Sequence, residues 1–289
     1  MFRSKDEITY EFFGIDPAAF YAGKFASPTP GNLLENPVDR FHFDNDRAKF
    51  LVENVIGKRV LDIGCGSAPY GNTIRNNTDV DEIYGVDFDL TSVEIAKSSY
   101  DSVSVFDLGS KLPFEDGFFD CVFSMDVWGH IEFKSKDHLL REIHRVTRKG
   151  GRTVHGIECG VIDYFSANLS SPDCPIKKYV LVDGHVGVES ASDLMDRWGK
   201  YFCDVSIRNS FVWPLRPFGP IRYMDMPAEL RCTFDGFSKE QIYSIQLVLG
   251  YLNGVFQDYL LKVDPTFLFP AEEHPFRKHS GFVYLVGSK

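Results

Sequence analysis

Three carboxylates lie where successive apolar runs end. Asp62 sits in Arg59-Val-Leu-Asp-Ile63, just ahead of Gly64-Cys-Gly66; Asp87 ends Tyr84-Gly-Val-Asp87, and Asp107 ends Val105-Phe-Asp107. Short apolar runs that meet glycine or aspartate at once are the pattern of buried parallel strands entering turns. Glycines at 64 and 66 let the backbone turn sharply and approach a ligand closely, because a Cβ there would intrude. Asp62 is placed to meet a ligand ammonium, directly or through water. Asp87 can accept both hydroxyls of a ribose, and Asp107 a hydrogen bond from an exocyclic adenine amine. Capping or solvated turns would explain any one of these carboxylates, but explain all three poorly. Together they predict a nucleoside-binding edge.

A second group of residues could move a proton. His130 follows the run 119–125, Glu158 ends the run 152–157, and His185 precedes a helical stretch that starts at Ser190. Imidazoles are the usual general bases near neutral pH, and a carboxylate can orient one. Loop histidines are often caps, and Glu158 could equally be a solvated turn. No H-x-x-x-H pair or acidic cluster at ligand spacing is present, so metal-free chemistry is the expectation. Asp126 and Trp128 are further candidates for shaping the pocket, Trp128 being at least as consistent with core.

The elements that must position these groups alternate. Strands are expected at 59–63, 82–86, 102–106, 119–125 and 152–157, with helices at 45–56, 91–99 and 136–148. Such alternation predicts a doubly wound parallel sheet, with Gly150-Gly151 separating the last of these helices from its strand. A helix over 190–202, a strand over 203–213 and a terminal strand over 282–286 follow. Between them, Ser238-Lys-Glu-Gln241 has the form of a capping box opening an apolar stripe to about Val263. The expected organisation is an arm or lid over residues 1–44 with a short helix near Pro17, a core over 45–213, an insertion over 214–280 and a final core strand over 281–289. Aromatic residues of the arm (Tyr10, Phe12, Phe13, Tyr21) could close over the site, and the insertion could do the same or build a dimer surface.

Composition narrows the function classes. At 44% hydrophobic residues, 289 residues can bury a large α/β core, and 26 Phe, 13 Tyr and 3 Trp suit a deep small-molecule site. A net charge of −10 with no Lys/Arg run makes nucleic acid an unexpected partner. Six scattered cysteines without a C-x-x-C pair suggest free thiols in a reducing compartment. No uninterrupted apolar stretch nears the ~20 residues of a membrane span, and Met1 to Tyr10 lacks a signal-peptide core. A cytoplasmic protein is expected, with no membrane contact.

The block Val60 to Gly71, Asp87 and the run Asp107 to Ser124 resemble the motifs of class I S-adenosylmethionine (SAM)-dependent methyltransferases. More narrowly they are similar to the small-molecule subgroup that includes the ubiquinone and menaquinone C-methyltransferases (methyltransferase type 11). Leu139 to Gly151 is likewise similar to the helix and turn before that family's fifth strand, so the match covers about residues 45 to 160. The resemblance implies SAM as cofactor and a seven-stranded, mostly parallel Rossmann-like sheet with an antiparallel last strand. It implies Gly64, Cys65 and Gly66 as backbone contacts to the methionine part, Asp87 on the ribose and Phe88 against the adenine face. It further implies Asp107 with Leu108 at the adenine edge, and Met125 flanking the sulfonium. Ala68 stands where the family often has a third glycine. The segment around His185 resembles the histidine-then-helix stretch that faces the acceptor in small-molecule O-methyltransferases, which favours His185 as base; in related enzymes the position of His130 mainly packs near the cofactor. A dinucleotide dehydrogenase is the rival, but its last loop glycine is Pro69 here, which has no N–H for a pyrophosphate.

The expected activity is methyl transfer to oxygen, less readily nitrogen or carbon, of a small or sugar-like acceptor. Two alternatives stand beside it: a methyltransferase acting on RNA or protein, and a non-catalytic protein that keeps the fold for binding. The Asn/Asp-Pro-Pro-Tyr motif of amino-group methylases is absent, and Ser124-Met-Asp-Val-Trp128 occupies its place.

Overall fold

The computed structural model describes residues 4–24, 26–35, 43–107, 109–160, 180–210 and 282–289, with residue 171 and isolated positions between 236 and 262. Seven strands form one sheet in the order β3-β2-β1-β4-β5-β7-β6. They are β1 (Arg59–Ile63), β2 (Glu82–Asp87), β3 (Ser102–Val105), β4 (Phe119–Met125), β5 (Thr147–Glu158), β6 (Cys203–Asn209) and β7 (Phe282–Ser288). The pairs β1–β2, β1–β4, β2–β3 and β4–β5 are parallel, whereas β7 runs antiparallel to both β5 and β6. This is the expected fold class.

Strand alternation sends side chains to two cores. Val60, Cys121, Phe123 and Tyr284 face one side, packed with Phe50 and Leu51 of helix α2 (Phe43–Asn54) and with Tyr100. Leu61, Ile63, Val122 and Leu285 face the other, against Leu139, Leu140 and Ile143 of α5 (Phe133–Val146) and Trp198 of α6 (Ala191–Trp198). A short helix α1 (Pro17–Tyr21) stands in the arm with Asp16 as its N-cap, α3 (Gly71–Asn77) follows the glycine bend, and α4 (Leu90–Ala96) is capped by the Asp89 carboxylate.

Several expected boundaries shift for identifiable reasons. The helix expected at 136–148 begins at Phe133 and ends at Val146, because β5 starts at Thr147, which pairs with Phe119. Gly150-Gly151 therefore lies inside β5 rather than before it; Gly150 takes φ +73° where the β4–β5 register shifts. The helix after Ser190 ends at Trp198, not Phe202, and the first helix of the core begins at Phe43. The strand expected over 203–213 is described only to Asn209. Most of the insertion lies outside the described residues, yet Ser238 Oγ accepts from Gln241 N–H and Gln241 Oε1 from Ser238 N–H, as a capping box requires. No described helix is long and apolar enough to cross a membrane.

Candidate active site

Strand order reverses at β1 and β4, so their carboxyl ends frame a crevice. There a cavity of about 1050 Å³ opens, bounded by the glycine bend, the ends of β2, β4 and β5, the loop before α6 and the arm.

One half gathers the nucleoside-type residues. Gly64 and Gly66 take φ +66° and +49°, and a Cβ on Gly64 would fall 2.4 Å from Val127 Cγ2. Only glycine lets the bend pass so close beneath the loop after β4. Gly64 N–H and Cys65 N–H both donate to Val86 O, tying the bend to β2. Asp87 then buttresses it: one carboxylate oxygen accepts from Gly66 N–H at 2.7 Å, the other from Asp89 N–H at 2.9 Å. Burial raises the Asp87 pKa, with these backbone donors opposing. Phe88, 40% exposed, and Asp107 line the same half with Gly64, Cys65, Gly66 and Met125. Asp107 also accepts from Gly109 N–H at 2.9 Å. Leu108 lies outside the described residues. Ala68 holds φ +59°, a left-handed conformation where the resemblance leads one to expect glycine.

Asp62 is not among the cavity-lining residues. Alternation puts it on the Val60 face of β1, where its carboxylate accepts from Tyr100 O–H at 2.7 Å. Burial, with the Asp87 charge nearby, lifts its pKa well above the ordinary value. Trp128 is likewise core: its ring is buried and its indole N–H donates to Glu189.

The other half assembles groups far apart in sequence. His130, Glu158 and His185 offer donor atoms that all lie within 4.8 Å of one another. Glu158 Oε1 faces His185 Nε2 at 3.4 Å and His130 Nε2 at 3.7 Å, while Oε2 accepts from Gly129 N–H at 3.3 Å. Burial would drive His185 toward the neutral form, but the Glu158 carboxylate outweighs it and raises the pKa. His130 is pushed down to about 4 by burial, against the pull of Glu158. Burial acts to raise the Glu158 pKa, yet the two imidazoles hold it below the usual carboxylate range. Asp126, at φ +57°, forms an ion pair with Arg47 of α2; enclosure in the wall raises its pKa to about 7 despite Arg47, with Glu158 adding to the rise.

Two arm residues complete this half. Tyr21 O–H lies 2.9 Å from His130 Nδ1 and 2.7 Å from Tyr10 O–H, and Tyr10 O–H also stands 2.8 Å from the carbonyls of His130 and Gly184. Sequence reasoning placed Tyr10 and Tyr21 in a closing arm but could not pair either with a histidine over a hundred residues away. Arg47 was missed altogether; a single arginine within a helix carries no signal of its own.

Residues 61–155 match the family described as "Methyltransferase domain". Among curated proteins, the chain is 35% identical over 105 residues to probable tRNA methyltransferase 9B of Bos taurus, covering 36% of this chain and 22% of that one. It is 31% identical over 108 residues to O-methyltransferase rstn1 of Aspergillus nomiae, covering 35% and 47%. The chain thus spans less than half the length of either relative. Among solved structures, Haemonchus contortus phosphoethanolamine N-methyltransferase 2, crystallised with SAM, superposes with TM-score 0.53 at 18% identity over 86% of this chain and 52% of that one. That likeness is one of fold.

Proposed function

Because residues 61–155 are a methyltransferase domain and the sheet has the class I SAM-dependent methyltransferase fold, we propose that this chain is an enzyme transferring a methyl group from SAM to oxygen of a small, hydroxylated or sugar-like acceptor. One observation carries the proposal: the glycine bend with its acidic strand ends and the His130–Glu158–His185 group open into the same cavity. The cavity suits the cofactor. Its bend would be blocked by a Cβ at Gly64, and its volume exceeds what a nucleoside alone would fill. The backbone of Gly64, Cys65 and Gly66 would hold the methionine part, Asp87 the ribose, and Phe88 with Asp107 the adenine; Met125 would flank the sulfonium. When bound, SAM supplies an electrophilic methyl on a sulfonium.

The remaining work falls to the chain's own residues. They must fix the acceptor oxygen in one orientation, keep water out and take the hydroxyl proton. Alignment is worth up to ~7–11 kcal/mol and a placed base ~10²–10⁴-fold. His185 Nε2 takes that proton, and Glu158 Oε1 beside it stabilises the resulting imidazolium. Glu158 is itself held by Gly129 N–H. His130, fixed by Tyr21, closes the far side of the acceptor space, and the arm excludes solvent. Asp62 would act on the bend through Tyr100 and packing rather than by direct contact with the cofactor.

RNA is a second acceptor reading, favoured by the similarity to the probable tRNA methyltransferase. Against it, among the described residues eight carboxylates (Asp16, Asp87, Asp89, Asp107, Asp126, Glu132, Glu158, Asp183) line the cavity beside Lys24 and Arg47, a poor setting for phosphate. The test incubates purified protein and methyl-labelled SAM with a metabolite extract and, separately, with total tRNA. Label in a small hydroxylated product, lost in His185→Ala while calorimetry still detects SAM, is the expected result. Label in tRNA alone would overturn the acceptor; unchanged turnover in His185→Ala would remove the base; no heat with SAM would sink the whole proposal.

A further inference from the structure

The side chains of His130, Glu158 and His185 come from three separate segments: the turn after β4, the end of β5 and the loop before α6. Their inward-facing atoms are two imidazole Nε2 and one carboxylate oxygen. The separations of 3.4 and 3.7 Å from Glu158 Oε1 are long for hydrogen bonds to a nitrogen. They fit another arrangement well. Two ligands at ~2.0–2.1 Å from a tetrahedral cation stand roughly 3.4 Å apart. Glu158 is only 7% exposed, and among the described residues no donor meets hydrogen-bond geometry at its Oε1, which points between the two rings.

The surroundings fix these atoms for ligation. Tyr21 Oη lies 2.9 Å from His130 Nδ1 and can accept from Nδ1–H, the tautomer that leaves the Nε2 lone pair directed at Glu158. Glu158 Oε2 is taken by Gly129 N–H, which leaves Oε1. Gly187 N–H donates to Gly129 O, clamping the His185 loop onto the His130 turn, and the two rings sit with centroids 4.4 Å apart. Because the group also lines the cavity, a cation there would keep at least one position open to it. Two imidazoles and one carboxylate suit zinc-class divalent cations over magnesium or calcium, which prefer all-oxygen sites.

We propose that His130, Glu158 and His185 form a binding site for one zinc-class divalent cation, and that occupying it blocks methyl transfer. The second half rests on the reading of His185 as the base, since metal and substrate proton would need the same Nε2 lone pair. The donor set itself does not depend on that reading.

The test titrates cobalt(II) into the full-length protein and follows the visible d–d spectrum, which strengthens when cobalt leaves octahedral water for a four- or five-coordinate nitrogen/oxygen site. The expected result is saturation at one cobalt per chain, without the near-ultraviolet charge transfer of thiolate ligation. Zinc should displace the signal; His185→Asn and Glu158→Gln should each weaken cobalt binding at least tenfold. His138→Ala, a surface change, should leave it intact, and thermal melting verifies that each variant is folded. A spectrum matching cobalt in buffer at several-fold protein excess, or a signal that survives both substitutions, overturns the site. In parallel, zinc should abolish methyl incorporation with chelator reversing the loss. Cobalt bound at the site with turnover undiminished would overturn the block and the role of His185 as base while leaving the site. Cobalt binding by a protein that never takes SAM would keep the site and sink the methyltransferase proposal.

Discussion

Asp87 is the residue whose removal should be most informative, because it holds the folded bend and, in the proposed complex, would hold the cofactor as well. Its carboxylate accepts from Gly66 N–H and Asp89 N–H at 2.7 and 2.9 Å, so both flanks of the nucleoside half hang on one side chain. Hydrogen bonds to an ionised group contribute ~1.5–3 kcal/mol each. Water entering from the cavity can replace part of that, so Asp87→Ala should lose about 2–3 kcal/mol of stability in urea unfolding. In the SAM complex the same carboxylate would accept the ribose hydroxyls. Losing about 3 kcal/mol there corresponds to roughly 100-fold weaker binding, since each 1.4 kcal/mol is tenfold. Asp87→Asn keeps one acceptor oxygen and should fall between the two. Isothermal calorimetry with SAM and its demethylated product measures the affinities. If Asp87→Ala binds within twofold of wild type, Asp87 does not hold the ribose; if its unfolding midpoint is unmoved, the two backbone bonds carry no weight in the bend.

Three further outcomes follow from the same geometry. Gly64→Ala meets Val127 at 2.4 Å on a left-handed backbone and should cost about 3 kcal/mol, whereas Gly66→Ala, with nothing within 4 Å, should cost only about 1 kcal/mol yet obstruct the cofactor; unfolding and SAM titration of the pair separate strain from blocking. Tyr21→Phe removes the partner of His130 Nδ1 and should lower kcat about tenfold with SAM affinity unchanged, as measured by turnover and calorimetry; a loss confined to SAM binding would mean the arm serves the cofactor only. Lys136 is fully buried against Glu189 and the Trp128 carbonyl, and burial, opposed by Glu189, pushes its pKa down to about 8. Above that pH the folded chain releases this proton while the unfolded chain keeps it to ~10.4, so the group's contribution to stability rises with pH in that window. Unfolding free energies of wild type minus Lys136→Met should therefore climb between about pH 8 and 10, and a flat difference would refute the shift.

Much of the sheet could be read from the chain because buried parallel strands need unbroken apolar runs, and β1, β2 and β4 supply them. Boundaries were less legible where pairing, not propensity, decides. Residues 147–148 read as the end of a helix and Gly150-Gly151 as a break, yet pairing of Thr147 with Phe119 on one side and of Arg152 with β4 and β7 on the other draws β5 through them. The left-handed Ala68 was equally invisible, since alanine carries no turn signal and holds that conformation only because the bend around it is fixed.

The nucleoside half of the site is local in sequence. Gly64, Gly66 and Asp87 act within one strand-turn-helix unit and its neighbour, so residue type and spacing alone determine what they can hold. Whether a strand-end residue faces the ligand is a matter of alternation, and that turned Asp62 toward Tyr100 instead of the cavity. The half that holds His130, Glu158 and His185 is a product of the tertiary fold. His130, Glu158 and His185 share no spacing that marks them as partners, and Tyr21 reaches His130, and Arg47 the neighbouring Asp126, only because the arm and α2 pack over the crevice. Sequence fixes which chemical groups exist; distances of a few ångströms between groups tens of residues apart arise only when the strands, turns and arm that carry them are packed together.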